Sequence, residues 1–294
     1  MKHCVSSLAS VPKVEEVQAA LVKDGWLLIE RTTLDLEGFS AFFRSLCNVL
    51  TFDPARQFAS SVAQSVDAGT AAVGLHIENG NTPMPPDIIA FFSMRSATSG
   101  SQTTVCDGAA VYRSLPTRLR NRLSQPYSMT RQLSKKIWQT YVATASAIAD
   151  SSTVTEEQLD EFMRAYPGQS YQMQANGDIQ YRLQIPAVRE DNFAESPAYA
   201  NALLGPSYNY EAPEYRAYDG RLLEQALFEE LAAICEEHTR EIAWQDGDIA
   251  VIDNKRCLHG RRAIAVPLCE RELVIAMGLR TEAKTIAQDQ GVAA

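Results

Sequence analysis

The stretch "AAVGLHIENGNTPMPP", residues 71–86, sets the reading of this chain. A short apolar run ends in a histidine and a glutamate one residue apart, His76 and Glu78, and a cluster of glycine, asparagine and proline follows at once. On a strand or its fraying end, residues i and i+2 project to the same side, so an imidazole and a carboxylate converge there. Two such donors suit a metal but rarely hold one alone, so a third ligand must come from elsewhere in the chain. With four histidines in 294 residues the choice is narrow.

His3 lies in a terminal tail. His238 continues the Leu227–Leu231–Ile234 stripe into the last turn of a predicted helix, a common place for a histidine without a functional role. His259 is different. It ends the strand of "DIAVIDNKRCLHGRR", residues 248–262, just before a glycine. Two histidines and one carboxylate form the facial triad of non-haem Fe(II) oxygenases, which leaves positions open for a cosubstrate and dioxygen.

The segments around these residues read as strands and helices in alternation. "WLLIE" after Gly25, "DIIAFFSMR" at 87–95, "TTVCDG" at 103–108 and "GDIQYRLQIPAV" at 177–188 read as strands. "RELVIAMGLR" at 271–280 alternates, with Arg271, Leu273, Ile275 and Met277 on one face. Helical spacing marks 13–24, 35–50, 112–124, 155–165 and 221–240. The pattern predicts one β-rich α+β domain over 1–294, a barrel or sandwich buttressed by helices. The irregular segment 189–219 carries Tyr199, Tyr208, Tyr210 and Tyr215 and reads as a lid, and 281–294 as a loose tail.

Composition bounds the partners. A net charge of −9 without a Lys/Arg-rich block argues against nucleic acid. No apolar run approaches the roughly 20 residues of a membrane span, and the N-terminus lacks a secretory pattern. Six cysteines (Cys4, Cys47, Cys106, Cys235, Cys257, Cys269) are scattered without a C-x-x-C pair, which predicts a thiol-bearing cytoplasmic protein.

The order of these pieces resembles the Fe(II)/2-oxoglutarate-dependent dioxygenases of the taurine dioxygenase and clavaminate synthase-like group. The resemblance runs from about residue 25 to 280 and rests on "HIE" at 76–78, "SGSQTT" at 99–104, "DIAVIDNKRCLHGRR" at 248–262 and "CERELVIAMGL" at 269–279. It implies a double-stranded β-helix (a jelly-roll, cupin-like barrel), with iron on His76, Glu78 and His259. It also implies 2-oxoglutarate on Thr103 and Arg271. Thr104 competes with Thr103 for that role, and Arg262 and Arg280 are the alternatives to Arg271. A glutamate in H-x-E, in place of the family's aspartate, points to the clavaminate synthase-like branch and away from the halogenating relatives.

A buried Arg271 needs an anionic partner, which agrees with a carboxylate-bearing cosubstrate. The reaction implied is oxidation of an unactivated C–H bond of a small molecule by Fe(II), 2-oxoglutarate and O2, releasing succinate and carbon dioxide. The resemblance and local chemistry point to a free amino acid or derivative. Asn79 and Asn81 offer amides, and Arg95 or Arg182 a cation for a substrate carboxylate. The competing readings are a His2Glu zinc hydrolase, which leaves Arg271 and Thr103 unexplained, and a non-catalytic binding barrel.

Overall fold

The computed structural model describes residues 11–67, 69–190, 192–193, 196–205, 212–267 and 270–280. Helix α1 (Val14–Asp24) leads into β1 (Trp26–Ile29), and α2 (Leu36–Leu46) into β2 (Val49–Thr51) and β3 (Ala63–Ser65). Strands β4 (Val73–His76), β5 (Ile88–Arg95) and β6 (Thr103–Asp107) follow, then α3 (Gly108–Ser114) and α4 (Thr117–Leu123). Next come β7 (Tyr127–Leu133), α5 (Lys135–Ala145), α6 (Glu156–Ala165), β8 (Gln169–Met173) and β9 (Ile179–Ile185). Short strands β10 (Val188–Glu190), β11 (Pro197–Tyr199) and β12 (Glu214–Arg216) precede α7 (Gln225–Glu237). The chain then runs through β13 (Thr239–Ile242), β14 (Ile249–Asp253), β15 (Cys257–Arg261) and β16 (Glu272–Leu279).

Two antiparallel sheets carry the site. One has the order β1-β14-β5-β16-β2, with β3 also on β16; the other has the order β13-β6-β15-β4. The alternation of 271–280 places Leu273, Ile275 and Met277 beside Ile89 and Phe91 of β5 and Val105 of β6 in one buried cluster, which packs the two sheets face to face. The opposite face of the first sheet is covered by α1 and α2, where Phe39 stacks on Phe92 at 5.1 Å. Asp35 caps α2 by accepting a hydrogen bond from the Gly38 amide. Behind the second sheet, Cys106 and Leu258 join a larger cluster with α3 to α7 and a third sheet, β12-β7-β9-β8. The first two sheets remain separate ladders and, among the described residues, do not close into a hydrogen-bonded barrel.

Several boundaries differ from the sequence expectation. The helix expected over 112–124 is two helices, because Leu115 precedes Pro116 and takes an extended ψ of 130°. The helix expected over 221–240 starts only at Gln225, since Arg221 folds back onto Asp219 in a turn and Leu222 bridges Arg216. The helix over 35–50 ends at Leu46, and Val49 and Leu50 instead pair with β16.

The proposed lid is in part core. Ala198, Tyr199, Ala200 and Asn201 are fully buried, and the Tyr199 carbonyl packs so close to Gly108 that a Cβ there would lie 2.3 Å away. A stretch fixed by that much burial is wall rather than lid. Tyr208, Tyr210 and the tail 281–294 lie outside the described residues.

Candidate active site

Pairing of β15 with β4 sets His259 directly opposite His76, with ring centroids 4.4 Å apart. Glu78 does not continue the strand. It lies in the turn that follows, and the buried Asn254 fixes that turn: its Oδ1 accepts from the Glu78 amide (2.8 Å), and its Nδ2 donates to the carbonyls of Glu78 (3.1 Å) and Pro86 (2.9 Å). The convergence expected from a strand is thus delivered by a clamped turn. The three side chains offer ligand atoms within 4.8 Å of one another.

Their unsatisfied atoms fit a metal. Glu78 Oε1 accepts from Arg56 Nη2 at 3.0 Å, while Oε2 is buried, lies 3.3 Å from His259 Nε2 and, among the described residues, is left without a geometrically sound hydrogen bond. His76 Nδ1 lies 2.8 Å from the Gly74 carbonyl, an arrangement that makes Nδ1 the donor and leaves Nε2 as a lone-pair ligand. Burial alone would raise the Glu78 pKa, but Arg56 and then His259 hold the carboxyl well below the usual range. Burial, followed by the neighbouring His259, lowers the His76 pKa to about 4, so the ring is neutral and ready to ligate.

These three side chains open into a cavity of about 740 Å³ that Thr103 and Arg271 also line. Arg271 is 9% exposed, and its Nη1 donates to the Val66 carbonyl at 2.8 Å. Its Nε is buried without a partner, and among the described residues no carboxylate pairs with it. Burial, then the nearby Arg261, lowers its pKa to about 10. Thr103 Oγ1 accepts from Trp244 Nε1 at 2.9 Å. Strand alternation separates it from Thr104, which lines a different recess beside Gly74 and Glu236. The alternative arginines are committed elsewhere: Arg262 pairs with Glu236 and Glu241, and Arg280 lies over the Phe193 ring at 4.4 Å.

The model of the taurine catabolism dioxygenase TauD, TfdA family matches residues 5–277. The chain belongs to that family. No curated protein shows a significant sequence match. Among solved structures, a taurine dioxygenase from Burkholderia xenovorans is similar at a TM-score of 0.56 and 14% identity, over 90% of this chain and 79% of that one. AAD-2, solved with Mn(II) and N-oxalylglycine, is similar at 0.55 and 15%, over 91% and 87%. A protein described as an alpha-ketoglutarate-dependent 2,4-D dioxygenase, also from Burkholderia xenovorans, gives 0.54 and 18%, over 90% and 86%.

As a TauD/TfdA member the protein is an Fe(II)- and 2-oxoglutarate-dependent dioxygenase acting on a small molecule, which sets aside the zinc hydrolase and the non-catalytic barrel. Among the described residues no helix is long and apolar enough to cross a membrane. His238 caps the end of α7, with Nε2 2.8 Å from Ser114 Oγ, and is not part of the His76–Glu78–His259 cluster.

Two expected substrate contacts need correction. Arg95 ends β5 with its side chain 55% exposed, 4.0 Å from Glu272, and does not line the cavity. Arg182 is exposed on β9, because alternation sends Tyr181 and Leu183 inward, and it lines a separate recess with Glu214 and Arg216. Asn79 and Asn81 do line the cavity. Asn79 also has a turn role, with φ of 52° and its carbonyl accepting from Thr82, and Asn81 donates to the Tyr215 hydroxyl at 2.9 Å.

Sequence reasoning missed Arg56, Asn254, Trp244 and Arg131, all of which touch or line the site. Arg131 left a readable signal: it sits in the inward row Met129–Arg131–Leu133, where an arginine is out of pattern. Arg56 left none, since it comes from an irregular loop with no periodicity.

Proposed function

We propose that His76, Glu78 and His259 hold the iron, and that Arg271 and Thr103 receive the distal carboxylate of 2-oxoglutarate. The enzyme would then oxidise an unactivated C–H bond of an amino acid or amino-acid derivative, with hydroxylation as the default outcome. The observation that carries this reading is Arg271: a buried cation with no carboxylate partner among the described residues, in the same cavity as a His2Glu cluster. A bidentate carboxylate is the best partner for such a guanidinium.

When bound, iron with 2-oxoglutarate and dioxygen supplies an oxidant strong enough for unactivated C–H bonds. The chain supplies position and dryness. Arg56 occupies one oxygen of Glu78 and leaves the other for the metal. Trp244 orients the Thr103 hydroxyl, and Phe91 and Leu273 line the cavity with apolar surface.

The two facing antiparallel sheets suit a double-stranded β-helix, with the whole chain as one oxygenase domain. The buried free thiols of Cys47, Cys106, Cys235 and Cys257 suit a reducing compartment such as the cytoplasm.

The test is to incubate the enzyme with Fe(II), 2-oxoglutarate and a panel of amino acids. Succinate release stimulated by members of that panel, with an oxidised product, is expected. Stimulation only by sulfonates, acyl-CoA thioesters, peptides or nucleobases would overturn the amino-acid assignment.

A further inference from the structure

A second cavity, of about 330 Å³, adjoins the first. The two share Asn79, Asn81, Thr82, Arg131 and Tyr141 as lining, so their junction begins one residue beyond the ligand Glu78. Beyond the junction the character changes. Met129 and Leu133 of β7, Trp138 and Val142 of α5, and Leu159 and Phe162 of α6 form the inner wall.

Two polar atoms facing that wall are already used. Trp138 Nε1 donates to the Gly177 carbonyl at 2.9 Å, and the Tyr181 hydroxyl donates to Gln169 Oε1 at 2.6 Å. On that wall an occupant therefore meets mainly ring faces and methyl groups, while elsewhere in the lining the buried Thr51 Oγ1 has no partner among the described residues. At water's share of about 30 Å³, the space admits roughly ten heavy atoms. Arg131 stands where this apolar wall meets the polar cavity, opposite Tyr181 on β9. Charge and amide groups at the junction, with dry surface beyond, describe a binding site for a molecule with a polar head and an apolar arm.

We infer that the substrate spans both cavities: its carboxylate or amide head lies against Arg131, Asn79 and Asn81, and an aromatic or branched aliphatic arm enters the space between α5, α6, β7 and β9. The substrate class is thus an amino acid or derivative with a large apolar arm, in preference to a compact one. The inference rests on the amino-acid reading of the same site.

Trp138 in the wall provides a readout that needs neither iron nor turnover. Tryptophan fluorescence of the metal-free full chain is followed during titration with glycine, alanine, leucine and phenylalanine. Leucine and phenylalanine should give a saturable change at concentrations at least about tenfold below alanine, each added apolar group being worth that much in a fitted pocket. The change should vanish in Trp138→Phe, which assigns it to this wall. Ala145→Phe, at an exposed position lining the cavity, should raise the half-saturating concentration of phenylalanine at least about tenfold while the melting temperature holds. Equal responses along the series, no response to any member, or indifference to Ala145→Phe would each overturn the inference. Failure of the oxygenase chemistry would show separately, as absence of succinate release with every compound.

Discussion

Arg56 and Arg271 border the same cavity, yet their surroundings are opposite. Arg56 donates to Glu78 at 3.0 Å and lies 3.5 Å from Asp53; burial alone would lower its pKa, but these carboxylates raise it. Arg271 reaches only backbone at Val66 among the contacts described, and burial lowers its pKa to about 10. One guanidinium is complete within the protein and serves to hold a ligand. The other fits the proposed role of receiving a carboxylate. Of the arginines that line this cavity, Arg56 thus has carboxylates of the protein beside it and Arg271 has none among the described residues, a difference that fits a scaffold role for the first and the proposed receptor role for the second.

Breaking the metal side should have the largest effect. Glu78→Ala removes a candidate ligand and leaves Arg56 with Asp53 as its remaining carboxylate partner. Tight iron binding and turnover should both be lost while the circular dichroism of the fold persists; normal iron-dependent activity in this variant would refute the triad. On the receptor side, Arg271→Leu removes half of a buried charge pair, which costs about 2–5 kcal/mol. The Michaelis constant for 2-oxoglutarate should rise by more than about tenfold with iron affinity nearly unchanged.

Arg56→Met should do the reverse. Removing the hydrogen-bond partner of a ligating carboxylate weakens metal binding by about 10- to 100-fold, and iron affinity should fall ahead of 2-oxoglutarate affinity. A variant with the opposite order of losses would exchange the roles assigned to the two arginines.

Acid should expose the same cluster in the metal-free protein. The His76 pKa lies near 4 in the fold against an ordinary 6.5, so the unfolded chain binds that proton first. Stability is fully present above pH 6.5 and should decline as pH falls from there toward 4, and the depressed Glu78 carboxyl adds to the loss below its ordinary 4.5. Thermal melts of apoprotein across that range check the sign. The smallest effects belong to Arg95→Ala and Arg182→Ala, which lie outside the cavity. Each should stay within about 0.5 kcal/mol in stability, with kinetic constants unmoved.

Placements that depend on strand pairing and alternation were readable from the chain alone. His76 and His259 meet because their strands pair, and Thr103 and Arg271 reach the same cavity as those ligands. Scarcity of histidine did the rest. Arg95 and Arg182 also sat on predicted strands, but alternation without knowledge of which sheet face looks inward does not say which side a residue takes. Arg56 and Asn254 were illegible for another reason. Both act through turns whose partners lie 22 and 176 residues away, and no local pattern encodes such a contact. The break at Pro116 was legible in principle, since the residue before a proline avoids the helical region. The buried course of 198–201 was not, because weak periodicity does not separate core from loop.

In the proposed site, Arg271 receives the carboxylate of a cosubstrate bound to iron on His76, Glu78 and His259. Anaerobic titration of 2-oxoglutarate into the Fe(II)-loaded protein, followed by the visible absorption of the chelate, tests it directly. A saturable band is expected in the native enzyme, with a half-saturating concentration more than about tenfold higher in Arg271→Leu and no band in Glu78→Ala. The same half-saturation in the native protein and Arg271→Leu, or a full band in Glu78→Ala, would contradict it.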